Sequence, residues 1–427
     1  MITSYILNNF WVLIAALLVF IMTIAVGFLE IGELGTSLKR SLLKTIMISG
    51  TSIFVMAIIG FNIAFAPTIY GFIGNPFYYN GFILGIINPS SFINNVWWSM
   101  TPKYFDTGLL TSTYFFFETA FASVTLALVG VIVLRKMKLK AFFIYSIIYF
   151  VFIWTLPAAW IWNPTGWLYK LGMRDFAGGL VVHGTAGIAG FSILLKMHME
   201  EKKAGITRNK RDVIKINDGW LTLSILLLLM GWFGFNPGSV LAFNNEALVV
   251  VITTFLAAGT AMLSTMGFKY LFKKTGPNIL DSVNGILMGL IIITPLAGFV
   301  SPASAIVLGF LGGPLFFAGE NLFSRIKWIE DPIGLLPGHA LGGIFGVMMI
   351  AFFTERIFAI PSGDPNLPNG ILFGGGYQAL HQFGVELFGI IVVLAFVFII
   401  SYISLMIISK SMHGIININL DVDSKKQ

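Results

Sequence analysis

The sequence predicts an all-α integral membrane protein with eleven transmembrane helices. Three observations carry that reading. Apolar residues make up 57% of the 427 positions and charged residues only 11%. Runs such as Trp11–Leu29 and Ile391–Ile408 approach the about 20 residues a helix needs to cross a bilayer. They are continuous rather than alternating, which favours helices over barrel strands. Lipid offers the backbone no partners, so each helix must satisfy its own N–H and C=O groups.

Eleven apolar cores can be placed at about 9–30, 43–66, 111–134, 141–162, 176–198, 219–240, 247–268, 279–298, 302–320, 333–354 and 379–409. Proline and glycine punctuate the connections. The longest, 67–110, holds Asn75-Pro76, Asn88-Pro89 and the pair Trp97-Trp98, read as interfacial anchors. A second polar loop, 361–376, holds Pro361, Asp364-Pro365, Pro368 and Gly374–Gly376. The first Lys or Arg is Lys39, after the first apolar run, so that run is expected to be retained as a span. With the amino terminus outside, every basic residue except Lys103, Lys170, Arg174 and Arg356 falls on the inner side. That bias predicts an N-out, C-in topology.

Cysteine is absent, which excludes disulfides, thiolate metal sites and cysteine nucleophiles. The formal charge of +7 is explained by the inner loops. No soluble basic domain exists to bind nucleic acid. No P-loop, nucleophile motif or metal-ligand cluster points to catalysis, so no catalytic residue, metal or cofactor is assigned.

One motif occurs twice. Asp175, Gly178, His183, Gly187, Ile188 and Gly190 read D-x2-G-x4-H-x3-G-I-x-G, and Asp331, Gly334, His339, Gly343, Ile344 and Gly346 repeat the spacing. Intramembrane histidines are costly and usually face a protein interior or a pathway. The copies fall in spans five and ten, an odd separation, so the second half should run inverted relative to the first. The expected organisation is one domain over 1–427: a five-helix repeat at about 8–200, its inverted copy at about 218–356, an eleventh helix at about 378–410 and a tail at 411–427. His183 and His339 should meet near the midplane. Gly184, Gly187, Gly190, Gly342, Gly343 and Gly346 should let spans five and ten cross closely. Asp175 caps span five, supports a cation electrostatically, or does both. Asp331 is read as a cap.

Several stretches resemble the ammonium transporter family, which includes the Rhesus proteins. Asp175–His183 (DFAGGLVVH) and Gly231–Ser239 (GWFGFNPGS) are its specific signatures; Glu330–Gly346, Gly60–Pro67 (GFNIAFAP) and Ala379–Gln382 (ALHQ) support them. The resemblance covers nearly the whole chain. It implies a homotrimer in the cell (plasma) membrane, with a pore in each subunit that moves ammonium or ammonia, and methylammonium as an analogue. It implies a twin-histidine pore of His183 and His339. It implies an outer recruitment site of Trp162, Ser239 and Phe117 near Asp175, and a phenylalanine gate of Phe121 and Phe235. Trp160 competes with Trp162 for its place.

The chemistry is coherent. Aromatic faces attract a small cation by about 0.5–2 kcal/mol, and a serine hydroxyl can accept its hydrogen bond. Taking the bare cation through an apolar pore costs far more than taking neutral ammonia. Deprotonation near the gate, then conduction past uncharged histidines, follows; a shared proton between the rings could also be relayed. The sequence departs from the family form in places. Glu118 stands where the family commonly has glutamine, and could attract cations or sit protonated. Glu30 and Glu33 lie at the end of the first span. The short segment after Lys410 leaves regulation by a trimeric PII-type partner open, with the basic connection 196–218 as the docking candidate. Alternative functions are an ammonium sensor, a carrier of another small amine, and a haem electron carrier using His183 and His339 as axial ligands.

Overall fold

The computed structural model describes all residues except 1, 79–107, 134–135, 207–215, 275, 277, 327, 330, 332–333 and 418–427. The Trp97-Trp98 pair, much of the basic connection 196–218 and most of the tail lie outside the described residues.

Among the described residues, eleven helices are long and apolar enough to cross a membrane: Ser4–Leu34, Leu38–Phe65, Thr111–Val131, Leu139–Ile161, Gly179–Lys203, Asp218–Gly238, Asn245–Lys273, Ile279–Leu296, Pro302–Ser324, Leu335–Phe353 and Gly376–Ser411. They are called spans one to eleven. The expected count is met, and most boundaries agree to within a few residues. Large apolar side chains remain exposed on many spans, among them Ile46, Phe54, Leu263 and Ile407. Exposed apolar surface on that scale belongs against lipid or another subunit.

Helix starts follow from short polar side chains that accept the first free N–H groups. Asn217, Asn244, Asn278 and Ser301 cap spans six, seven, eight and nine. Four spans contain a wide turn: Met56–Gly60 in span two, Tyr149–Ile153 in span four, Gly179–Gly184 in span five and Leu335–Ala340 in span ten. In span four the cause is local. Pro157 has no N–H to donate to Ile153, and its ring disfavours a regular turn there. A short hairpin, Thr68–Ile69 with Ile73–Gly74, follows span two.

Charge inside the bundle refines the topological count. Lys44, one of the basic residues assigned to the inner side, sits within span two and is 1% exposed. It pairs with Glu30 of span one, which Ser41 also approaches. Lys269 likewise pairs with Asp281 and, at 2.9 Å, with Glu320. These cations lie inside helices, because a carboxylate partner offsets the cost of burying them. Glu33 is also buried, with neither carboxylate oxygen hydrogen-bonded.

Spans five and ten meet through two of the six motif glycines. A Cβ on Gly187 would lie 2.8 Å from Ala340 Cα, and one on Gly343 would lie 3.2 Å from His183 Cβ. The expectation is corrected for Gly184, Gly342 and Gly346. Gly342 and Gly346 face Met288, Ile291 and Ile292 of span eight, and Gly184 faces Leu180 and Leu394. Span ten must serve two neighbours, so its small residues divide between them. We predict that Gly343→Ala lowers the thermal midpoint in detergent, through overpacking of about 1–3 kcal/mol. Gly50→Ala, where a Cβ meets nothing within 4 Å, should leave it unchanged or slightly higher.

Candidate functional site

The repeated motif is a local device for placing a histidine. Asp175 Oδ1 accepts from the N–H groups of Gly178 and Gly179, and Oδ2 from those of Leu180 and Val181, at 2.6–3.0 Å. Gly178 turns the chain with φ 110°, in the left-handed region open to glycine. The wide turn Gly179–Gly184 follows and carries His183 inward. Asp331 repeats the pattern with two bonds, to Leu335 and Leu336, and Gly334 has φ 64°. Burial pushes both carboxyls above the ordinary aspartate range, Asp331 to about 6, with the N–H bonds pulling the other way. The capping reading therefore describes both aspartates.

The two histidines come together. Their Nδ1 atoms are 3.0 Å apart and their ring centroids 5.1 Å. Both rings are buried. At that distance one Nδ1 carries a proton and the other accepts it. His183 Nε2 is buried without a hydrogen-bond partner. Both rings line a narrow cavity of ≈ 10 Å³, bounded by Leu29, Val124, Val182, Trp232 and Phe235 among others. That is about the least space that accepts one water-sized molecule. Trp232 lies flat against His183, 5.7 Å away with 15° between the planes. Sequence reasoning passed over it, although it sits in GWFGFNPGS, because nothing but the fold distinguishes it from Phe233. The direct ring contact also leaves no room for a macrocycle, which removes the haem reading.

A wider cavity of ≈ 420 Å³ lies beside the histidine pair's aromatic wall. The four expected outer residues, Phe117, Trp162, Asp175 and Ser239, line it together with the expected gate residue Phe121, so all share one vestibule. Trp162 is held by its Nε1–H to Asp175 O, 2.7 Å. Trp160 points elsewhere, donating to Phe72 O and packing on Phe396. Ser239 Oγ donates to Phe235 O at 2.8 Å, which leaves its lone pairs available. Phe121 and Phe235 pack at 4.2 Å with planes inclined by 33°. Phe121 borders the vestibule and Phe235 the histidine cavity, so this pair is the partition between them. Glu118, one turn before Phe121, also borders the vestibule and is buried.

Among the described residues, eleven membrane-length helices around a buried histidine pair and an aromatic-walled vestibule define a multi-pass membrane protein. The chain belongs to the Ammonium Transporter Family, whose pattern it matches over residues 10–425. It is 32% identical over 381 residues to an ammonium transporter of Aquifex aeolicus, covering 88% of this chain and 82% of that one. It is 28% identical over 403 residues to an ammonium transporter of Bacillus subtilis, covering 92% and 90%. Among solved structures, Mep2 of Saccharomyces cerevisiae superposes with a TM-score of 0.80 at 27% identity, over 95% of this chain and 85% of that one. A protein described as a sensor Amt protein superposes with 0.79 at 24% identity, over 96% and 94%, a likeness of fold.

Asp175→Ala should orphan four buried N–H groups, each worth about 1–3 kcal/mol. We expect a large drop in thermal midpoint in detergent, with Asp175→Asn intermediate because one carbonyl oxygen remains to accept. A midpoint equal to wild type in the alanine variant would remove the capping account.

Proposed function

We propose that this chain takes ammonium into the vestibule, strips its proton near the Phe121–Phe235 partition and conducts ammonia past His183 and His339. The observation that carries this reading is the buried Nδ1–Nδ1 contact at 3.0 Å beside a cavity sized for one small molecule. Trp162, Phe117 and Phe121 offer aromatic faces to the cation, and Ser239 Oγ offers lone pairs. The gap beyond the partition is walled mainly by apolar side chains, where a bare cation would be strongly penalised and a neutral molecule far less so. His183 Nε2 gives the passing molecule a hydrogen-bonding group. A proton shared between the rings provides a second route for charge, so the transport is proposed to be proton-coupled.

The wider organisation belongs to the same proposal. Residues 8–200 and 218–356 form inverted halves, 378–410 completes the bundle, and the amino terminus faces outward. The matched caps, left-handed glycines and wide turns at Asp175 and Asp331 support the repeat. We place the protein as a homotrimer in the plasma membrane, with a PII-type protein as a partner on the inner face.

The test is current recording on proteoliposomes adsorbed to a solid-supported membrane and given an ammonium pulse. Wild type should give a saturable current. The double variant His183→Ala with His339→Ala should change its amplitude and its ratio to ammonia uptake by at least about tenfold, roughly 1.4 kcal/mol in the barrier. Traces identical to wild type would count against the histidine path.

A further inference from the structure

Three carboxylates border the vestibule among the described residues: Glu118, Asp175 and Asp364. Two are already occupied. Asp175 accepts four backbone N–H groups with its two oxygens. Asp364 is ion-paired with Arg174, whose guanidinium also stacks over Tyr169 at 4.3 Å. Glu118 differs. Its carboxyl is hydrogen-bonded by Tyr114, yet Oε2 is buried and has no partner. The residue is 5% exposed and, among the described residues, the one cation lining this cavity, Arg174, is paired with Asp364.

A buried carboxylate oxygen without a donor is costly. A small cation carrying several N–H donors removes that cost. Glu118 is placed for it. It neighbours Phe117 and lies one turn before Phe121 on span three, so it stands beside the aromatic faces that would attract the same ion. Ser239 Oγ lines the same cavity and keeps lone pairs free.

We propose that Glu118 Oε2 is the anionic ligand of ammonium in the vestibule, completing a site whose other members are aromatic faces and the Ser239 hydroxyl. This rests on the transport reading and adds to it the residue that sets affinity at the entrance. In its ionised form, which an arriving cation favours, the carboxylate makes the site selective for the cation over ammonia.

The test compares wild type with Glu118→Gln, which keeps the shape and an oxygen acceptor but removes the charge. Loss of one charge-assisted bond should raise the ammonium concentration for half-maximal current about tenfold or more. An unchanged half-saturating concentration in a folded Glu118→Gln protein overturns the assignment. Should that variant fail to fold, the wild-type protein decides. A hydrophobic carbodiimide should label Glu118, read by mass spectrometry of the peptide, and ammonium chloride should suppress the label several-fold where choline chloride does not. Equal labelling in both salts overturns the proposal. Wild-type vesicles that give no ammonium current would sink the transport reading instead, and the labelling experiment would still decide whether Glu118 holds the cation.

Discussion

Two imidazoles in direct contact inside a dry bundle constrain everything around them. At 3.0 Å the pair cannot carry two protons, one on each facing nitrogen, so it holds one between the rings. Each ring must arrive from its own helix at the same depth with little tolerance. Gly343 admits the Cβ of His183, and Gly187 admits Ala340. Larger residues at either position would push the helices apart and break the ring contact. The aspartate caps serve the same end. They fix the first turn of each helix, and the wide turn that follows sets the direction in which the histidine points.

The aromatic wall around the pair follows from that constraint. Trp232 and Phe235 lie nearly parallel to His183, at 5.7 and 5.9 Å, and leave a gap that admits only a very small molecule. Trp232 is itself held by a hydrogen bond from Nε1–H to Thr294 Oγ1. Thr294 has a single O–H, which lies within reach of Leu290 O at 2.7 Å and of Asn236 Oδ1 at 3.2 Å, so a chain of polar contacts ties spans six and eight behind the wall. Buried polar networks of this kind hold a geometry because each member is satisfied. Glu118, which lines the vestibule, lacks such a set of partners: its Oε2 is buried without one. An unsatisfied group beside a pathway marks where a ligand belongs rather than where a scaffold is held.

The histidine pair is legible in the sequence because its motif is repeated, whereas the outer residues and the phenylalanine pair follow from the family resemblance. Asp175 and His183 share a span with a twin 156 residues on, and Phe235 and Ser239 share GWFGFNPGS. Trp162 against Trp160 could not be decided by spacing, since both lie in the same short helix end. The Trp162 hydrogen bond to Asp175 O separates them in three dimensions. The glycine assignment went astray for a related reason. Gly342 and Gly346 look equivalent to Gly343 in one dimension, but successive helical positions turn by about 100° and so face different neighbours. Lys44 is a cation at the inner end of span two, and its charge alone does not tell a loop from a helix. Its partner Glu30 lies on another span, and no local pattern announces such a pair.

Sequence alone determined the number of spans, because hydrocarbon thickness sets helix length and lipid forbids unpaired backbone. It also determined the local motif, because an aspartate followed by glycine at fixed spacing caps and turns a chain without help from elsewhere. The tertiary structure decided which helix faces which, which tryptophan borders the vestibule, and that Asp175 and Asp364 are occupied while Glu118 is open. Those are properties of partners far apart in the chain, and burial and pairing come into being only when the spans pack.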